Sequence, residues 1–234
     1  MSIKNLDNKL PFLLLAFLPA SIIVGATVSL SIIVLFCLII IFYYLKDQEI
    51  EFQNLYLIYF FSILYLYLIV NTFLALDPYI SIRRNLGFVR YILLFLSINY
   101  LFLKLESKRN LFFVWIITIW ILIFDSYFQK LFGFNTLGWK SGIGGSGGQR
   151  IVSFFKDEPV VGSYLFSFFL LLSASILQFS ESKNKKILFY IFFLIGLFLI
   201  LLTGERSSFI KAFLSSLLFF LLIYKFSIKK IITI

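Results

Sequence analysis

Leu202-Thr-Gly-Glu-Arg-Ser-Ser-Phe209 stands between two apolar runs. The run before it, Ile187 to Leu202, is almost pure Leu, Ile and Phe, and the run after it, Phe209 to Tyr224, is broken only by Lys211 and a few small polar residues. Two such runs joined by a short polar turn read as two membrane helices and their connection. Neither alternates in hydrophobicity, so barrel strands are excluded. A charged pair at the mouth of a span is costly unless it is paired or used. The turn therefore reads as one wall of a site for an anionic, lipid-linked ligand at one face of a membrane.

The whole chain carries the same signal. Of its 234 residues 61% are hydrophobic, and its mean hydropathy is +1.01. No soluble domain of this length has an interior for so much apolar side chain, so the fold class is all-α, a polytopic transmembrane helical bundle forming a single domain over 1–234. The single cysteine, Cys37, lies inside an apolar run, which leaves no disulfide framework. Histidine is absent, which removes the commonest general base and zinc ligand. No His/Cys cluster suggests a metal, and no cofactor is expected. Lys4 and Lys9 precede an apolar run as in a signal peptide, but no small-residue cleavage site follows, so this segment reads as a retained first helix.

Leu10 to Leu45 is continuous apolar sequence, about 36 residues or roughly 54 Å of helix against a ~30 Å bilayer core. It reads as two short spans, 10–24 and 28–45, turning at Gly25 and the small residues Ala26 to Ser29. Lys46-Asp-Gln-Glu-Ile-Glu51 is a polar loop. A third span runs from Phe52 to Leu74 and is ended by Leu76-Asp-Pro-Tyr79. A fourth runs from Ile82 to Leu103, and a fifth from Leu111 to Phe124 after the charged loop Lys104 to Asn110. Residues 125–158 are the one long non-apolar stretch, a Gly-rich loop. The sixth span is Pro159 to Phe179, with Pro at a favourable first-turn position. The charged loop Glu181 to Lys186, the seventh span Ile187 to Leu202 and the eighth span Ser207 to Tyr224 complete the series. Lys225 to Lys230 is basic, and Ile231-Ile-Thr-Ile234 opens another apolar run.

With eight spans and a cytoplasmic N-terminus, twelve of the 21 basic residues fall in short loops on the inner side. Membrane topology thus accounts for the net charge of +10 without nucleic acid. Five of the six arginines, however, fall on the outer side, with Lys130, Lys140, Lys156 and Lys211, while eleven of the fifteen lysines are inside. Positive-inside sorting does not favour arginine outside. A guanidinium offers a planar fork that matches phosphate oxygens. The segregation points to a phosphate-bearing ligand at the outer leaflet.

Arg83, Gly87, Arg90 and Leu94 are spaced four, three and four apart, on one helix face, with Arg84 and Tyr91 on the neighbouring ridge. Gly87 leaves room for an anion between two arginines, and Arg90 is placed deeper than Arg83 and Arg84. The plainer reading is that these arginines snorkel to headgroups. Thr203 to Ser208 opens a helix, where free N–H groups and the positive dipole end could hold phosphate with Arg206, Ser207 and the other hydroxyls, and Lys211 lies one turn below Ser207. The plainer reading here is a Glu205–Arg206 turn that caps two helices. Gly142-Ile-Gly-Gly-Ser-Gly-Gly-Gln-Arg150 lacks the Gly-Lys-Ser/Thr ending and the strand of a nucleotide-binding loop, so it reads as a flexible linker or a mobile flap. Asp157 and Glu158 stand at a helix start, where carboxylates are electrostatically favoured; in the functional version Glu158 is a base or orients the acceptor. Asp77 and Asp125 read as caps.

With these residues in hand, the chain resembles the O-antigen ligase and O-antigen polymerase superfamily of bacterial inner-membrane proteins. Leu202 to Phe209 is similar to that family's Thr-Gly-Ser-Arg segment at a helix start. Arg150 to Leu165, with Phe154-Phe-Lys-Asp-Glu158 and Gly162, resembles its Arg…Phe…Gly segment opening a helix, and Arg83 to Tyr91 its basic helix start before an aromatic, Leu-rich span. The resemblance implies a metal-independent glycosyltransferase in the cytoplasmic membrane with a periplasmic active face. It would move glycan from an undecaprenyl-diphosphate carrier to a glycan or lipid A-core hydroxyl, with Arg90, Arg150 and Arg206 holding the diphosphate. Family members have roughly a dozen helices and a late periplasmic loop, often with a functional histidine, so a truncated, N-terminal portion is expected. The alternative is a non-catalytic polyprenyl-phosphate binder or lipid-linked glycan transporter. A transporter should show two related halves with interrupted helices, and no such repeat is evident.

Overall fold

The computed structural model describes residues 3–47, 55–105, 107–143, 149–156, 158–179 and 183–223. The expectations for 48–51 in the first polar loop, Phe52, Gly144 to Gly148, Asp157, Glu181, Tyr224, Lys225 to Lys230 and Ile231 to Ile234 lie outside the described residues. The chain is all-α, with nine α-helices among the described residues. Among the described residues five segments are long and apolar enough to cross a membrane: Tyr56–Phe73, Pro78–Phe102, Lys108–Phe132, Val161–Phe179 and Lys185–Leu202. Pro11–Val24 and Ala26–Ile39 are shorter apolar stretches. The chain divides into two compact units, Met1–Lys108 and Arg109–Ile234.

The first unit holds α1 (Ile3–Val24), α2 (Ala26–Asp47), α3 (Leu55–Phe73), α4 (Pro78–Gly87) and α5 (Val89–Lys104). Only Gly25 separates α1 from α2, at φ 141°, a conformation side-chain-bearing residues avoid. The turn is thus one residue, and α2 starts two residues before the expected position. The small residues that marked a longer turn are absorbed into the helix: Ser29 donates back to the Ala26 carbonyl at 3.0 Å, and Thr27 offers its carbonyl to the Ser31 hydroxyl at 3.0 Å. α2 packs along α5, where the Ser97 hydroxyl donates to the Phe36 carbonyl at 3.0 Å. α4 begins at Pro78 rather than Ile82. Asp77 caps it by accepting from the Ile80 N–H at 3.1 Å, and Pro78 sits in the first turn. Asn85 then ties α4 to the end of α3, donating to the Leu68 carbonyl at 2.9 Å and the Thr72 hydroxyl at 2.8 Å.

The second unit holds most of α6 (Lys108–Phe132), then α7 (Val161–Phe179), α8 (Lys185–Leu202) and α9 (Arg206–Ile223). α7, α8 and α9 pack on one another. Gly196 is the contact point between α8 and α7: a Cβ there would lie 3.1 Å from the Phe169 ring. Small residues at such crossings allow the close van der Waals packing that holds membrane helices together. α6 runs eight residues past Phe124, because its polar continuation is buried rather than solvated. Asp125, Ser126 and Gln129 are all buried on it. The expected loop from 125 therefore begins only after Phe132. Pro159 does not occupy the first turn of a helix, since α7 starts two residues later, at Val161.

Candidate functional site

The site is built on a segment that the sequence suggests is loose and that the fold pins down. Asp125 and Gln129 are four apart on α6 and face the same way. The Asp125 carboxylate accepts from the Thr136 N–H at 2.8 Å, the Thr136 hydroxyl at 2.5 Å and the Ser153 hydroxyl. It is a buried anchor within α6, not a helix cap. The Gln129 carbonyl oxygen accepts from the Val152 and Ser153 N–H groups at 2.9 and 2.7 Å. Asn135 donates to the Ser153 carbonyl at 2.9 Å and accepts from the Trp139 N–H at 2.7 Å. Ser153 thus has its N–H, hydroxyl and carbonyl all engaged, which holds it at φ 46°, a conformation a non-glycine residue keeps only when its surroundings over-determine it. Just before it, β1 (Gly142–Ile143) and β2 (Gln149–Arg150) form a two-residue antiparallel ladder with Gly142 opposite Arg150. Arg150 therefore stands at a fixed position, three residues before the buried Ser153, at the flank of the Gly-rich stretch.

Arg150 meets the Thr203–Ser208 turn. A Cβ at Gly204 would lie 4.0 Å from the Arg150 Cγ, and Gly204 itself adopts φ 77°, which this tight α8–α9 connection requires. Arg206, two residues on, is the first residue of α9 and is exposed, as are Ser207 and Lys211. Arg150 is half-buried. Among the described residues, none of the Arg150, Arg206 and Lys211 side chains has a hydrogen-bond or ion-pair partner. The fold thus gathers Arg150 and the Arg206 turn at one end of the second unit.

Glu205 plays a part that sequence reasoning missed in its detail. Its carboxylate accepts from the Gly162 N–H at 2.6 Å, the Ser163 N–H at 2.9 Å, the Ser163 hydroxyl and the Ser208 hydroxyl at 2.9 Å. It satisfies two of the first free N–H groups of α7 and places a negative charge at the positive end of that helix. Through Glu205 the turn caps α7, a helix it does not join, and no N–H of α8 or α9 is shown bonded to that carboxylate. Asp157 and Glu158 were the expected carboxylates for this helix start. Asp157 lies outside the described residues, and Glu158 is exposed with no side-chain partner among them. Gly162 is required by the closeness of this contact, because a Cβ on it would sit 2.6 Å from the Thr203 hydroxyl and 3.0 Å from the Glu205 carboxyl carbon. The only sequence signal for the pairing was Gly162 itself at a helix start.

Lys156, at φ 57°, lies over the Trp139 ring at 5.6 Å. The remaining arginines belong to the first unit. Arg83 donates to the Tyr79 hydroxyl one turn earlier and lies over its ring at 4.6 Å. Arg90 donates to the Tyr91 hydroxyl at 3.2 Å. Arg84 and Arg90 are exposed like Arg83. Gly87 has open space where a Cβ would stand. The helix is interrupted at Phe88, where bonds to Asn85 and from Tyr91 span three residues instead of four. Phe88 itself keeps right-handed helical dihedrals, φ -66° and ψ -25°. Among the described residues no three His, Cys, Asp or Glu side chains gather where a metal could sit.

Compared with protein-family models, with curated proteins and with solved structures, the chain matches none.

Proposed function

We propose that the chain is an O-antigen polymerase- or ligase-like glycosyltransferase, with eight spans, a cytoplasmic N-terminus and a periplasmic active face in a bacterial inner membrane. The observation that carries this reading is the approach of Arg150 to the Gly204–Arg206 turn, which brings to one helix end two arginine side chains without a partner among the described residues. The positive-inside distribution of lysines and the sequence resemblance support the orientation and the substrate class. The donor is a glycan on undecaprenyl diphosphate. An acceptor hydroxyl oxygen attacks the anomeric carbon, the bond from that carbon to the diphosphate oxygen breaks, and the electron pair leaves with the diphosphate. Arg150 and Arg206 stabilise the departing charge, with Arg83, Arg84, Arg90, Ser207 and Lys211 as further contacts to the carrier. Glu158, exposed and unpartnered, takes the acceptor proton or orients that hydroxyl.

Replacing Arg206 with Ala should lower glycan transfer by about 100- to 1,000-fold, the usual cost of one charge-stabilising donor, with the protein still in the membrane. Transfer onto acceptor in membrane preparations is the readout, and normal transfer by that variant refutes the role. The second reading is a non-catalytic carrier binder, favoured by Glu205: among the described residues it is the carboxylate held inside the cluster, and it is engaged as a cap rather than open to an acceptor. Retained binding of undecaprenyl diphosphate glycan with no transfer by the unsubstituted chain would select it.

A further inference from the structure

A cavity lies at the other end of α8 from the arginine turn. It measures about 330 Å³ and opens between α6 and α8, with the last turns of α7 as its floor. That volume is at the lower end of the ~300–1,000 Å³ typical of ligand sites. Phe112 and Trp120 of α6, Ser175 of α7, and Leu188 and Phe192 of α8 line it, with Arg109 at the start of α6. Trp120 meets Phe192 edge to face at 5.9 Å, and farther along, the Tyr127 hydroxyl donates to the Ile195 carbonyl at 3.0 Å, so α6 and α8 touch beyond the cavity. Toward their first turns the space between them stays open. That end is also strongly basic. Arg109, Lys183, Lys185 and Lys186 are all exposed there, while Glu106 and Glu181 lie outside the described residues.

We propose that this cavity holds an acyl chain of an anionic phospholipid, with its phosphate at Arg109. An apolar slot with basic groups at one end fits a molecule that is apolar along its length and anionic at its head. Basic pockets between membrane helices hold such headgroups for the same reason. Arg109 is the one arginine that the topology places with the lysines, and a fork of donors suits a phosphate better than a lysine point charge does. The site is independent of the reaction proposed at the opposite end.

Trp120 reports on it directly. In a full-length chain carrying Trp115→Phe and Trp139→Phe, Trp120 is the only remaining tryptophan. The protein is placed in phosphatidylcholine nanodiscs doped with phosphatidylglycerol brominated on its acyl chains, or with phosphatidylcholine brominated alike. Half-quenching should need roughly fivefold less of the anionic lipid, the equivalent of ~1 kcal/mol for one basic group, and Arg109→Gln should erase the difference. Equal quenching by the two lipids, or a preference that survives Arg109→Gln, overturns the proposal. So does displacement of the brominated lipid by undecaprenyl phosphate at equal mole fraction, which would assign the slot to the carrier. If the tryptophan-poor chain does not fold, native mass spectrometry of the unsubstituted chain and its Arg109→Gln variant decides instead: phosphatidylglycerol retained by the first and lost from the second supports the site, and no difference overturns it.

Discussion

Removing the Glu205 carboxylate should loosen the second unit without touching any arginine. In Glu205→Ala the Gly162 N–H, on a buried residue, loses an acceptor at 2.6 Å. A buried donor left unsatisfied costs about 1–3 kcal/mol. The start of α7 also loses a negative charge worth ~0.3–1 kcal/mol. Ser163 is exposed, so its N–H and hydroxyl can turn to water at little cost. The sum is about 1.3–4 kcal/mol. For a chain of this size ~1 kcal/mol moves Tm by about 2–4 °C, so the expected drop is roughly 3–16 °C. Glu205→Gln keeps one acceptor oxygen but no charge and should fall between Ala and the parent. Thermal unfolding in one detergent, at one scan rate, compares all three. A Glu205→Ala variant within ~1 °C of the parent would refute the capping role. A Gln variant as damaged as Ala would show that the charge, and not the hydrogen bonds, carries the contact.

Gly162→Ala should cost about 1–3 kcal/mol, because its Cβ would press on the Thr203 hydroxyl. Adding Thr203→Ala to that variant should recover part of the loss, and a double-mutant cycle with no coupling would count against the clash. Asp125→Ala leaves the Ser153 hydroxyl and Thr136 N–H without their acceptor, and the lost anchor should expose the 133–153 segment. Limited proteolysis there should speed up severalfold, and an unchanged digestion pattern would show that Gln129 and Asn135 suffice.

The helices were legible because apolar length is a strong, local signal, and α3, α7, α8 and α9 begin or end within a few residues of the expectation. The boundaries missed have one cause. Polar residues were read as solvated when the chain had buried partners for them. Asp125 and Gln129 looked like the start of a loop, yet they continue α6 because Thr136, Val152 and Ser153 lie against them. Ser29 looked like part of a turn, yet it satisfies its hydroxyl on its own helix. Such pairings join positions far apart in the sequence or depend on a rotamer, and neither leaves a periodic trace. Arg206 was legible from its depth beside two apolar runs. The contact of Arg150 with Gly204 was not, since nothing local links residues so far apart.

A carboxylate already seated at the start of α7 decides how an anionic ligand could be held at this end of the fold. The N–H groups of Gly162 and Ser163 and the Ser208 hydroxyl are occupied by Glu205, so the dipole of α7 is answered within the chain. A diphosphate approaching there would meet a negative charge first, and like charges at close range repel by several kcal/mol where solvent is sparse. Attraction must then come from the groups that remain unanswered, Arg150, Arg206 and Lys211. The two kinds of residue separate in experiment. Arg206→Ala should remove carrier binding and leave Tm near the parent, because its side chain is exposed and holds nothing in place. Glu205→Gln should lower Tm while carrier binding, measured at a temperature where the fold persists, stays the same or rises as the repelling charge goes. A Glu205→Gln variant that keeps its fold but loses the carrier would place the ligand on the helix end after all, and the arginines would then be bystanders.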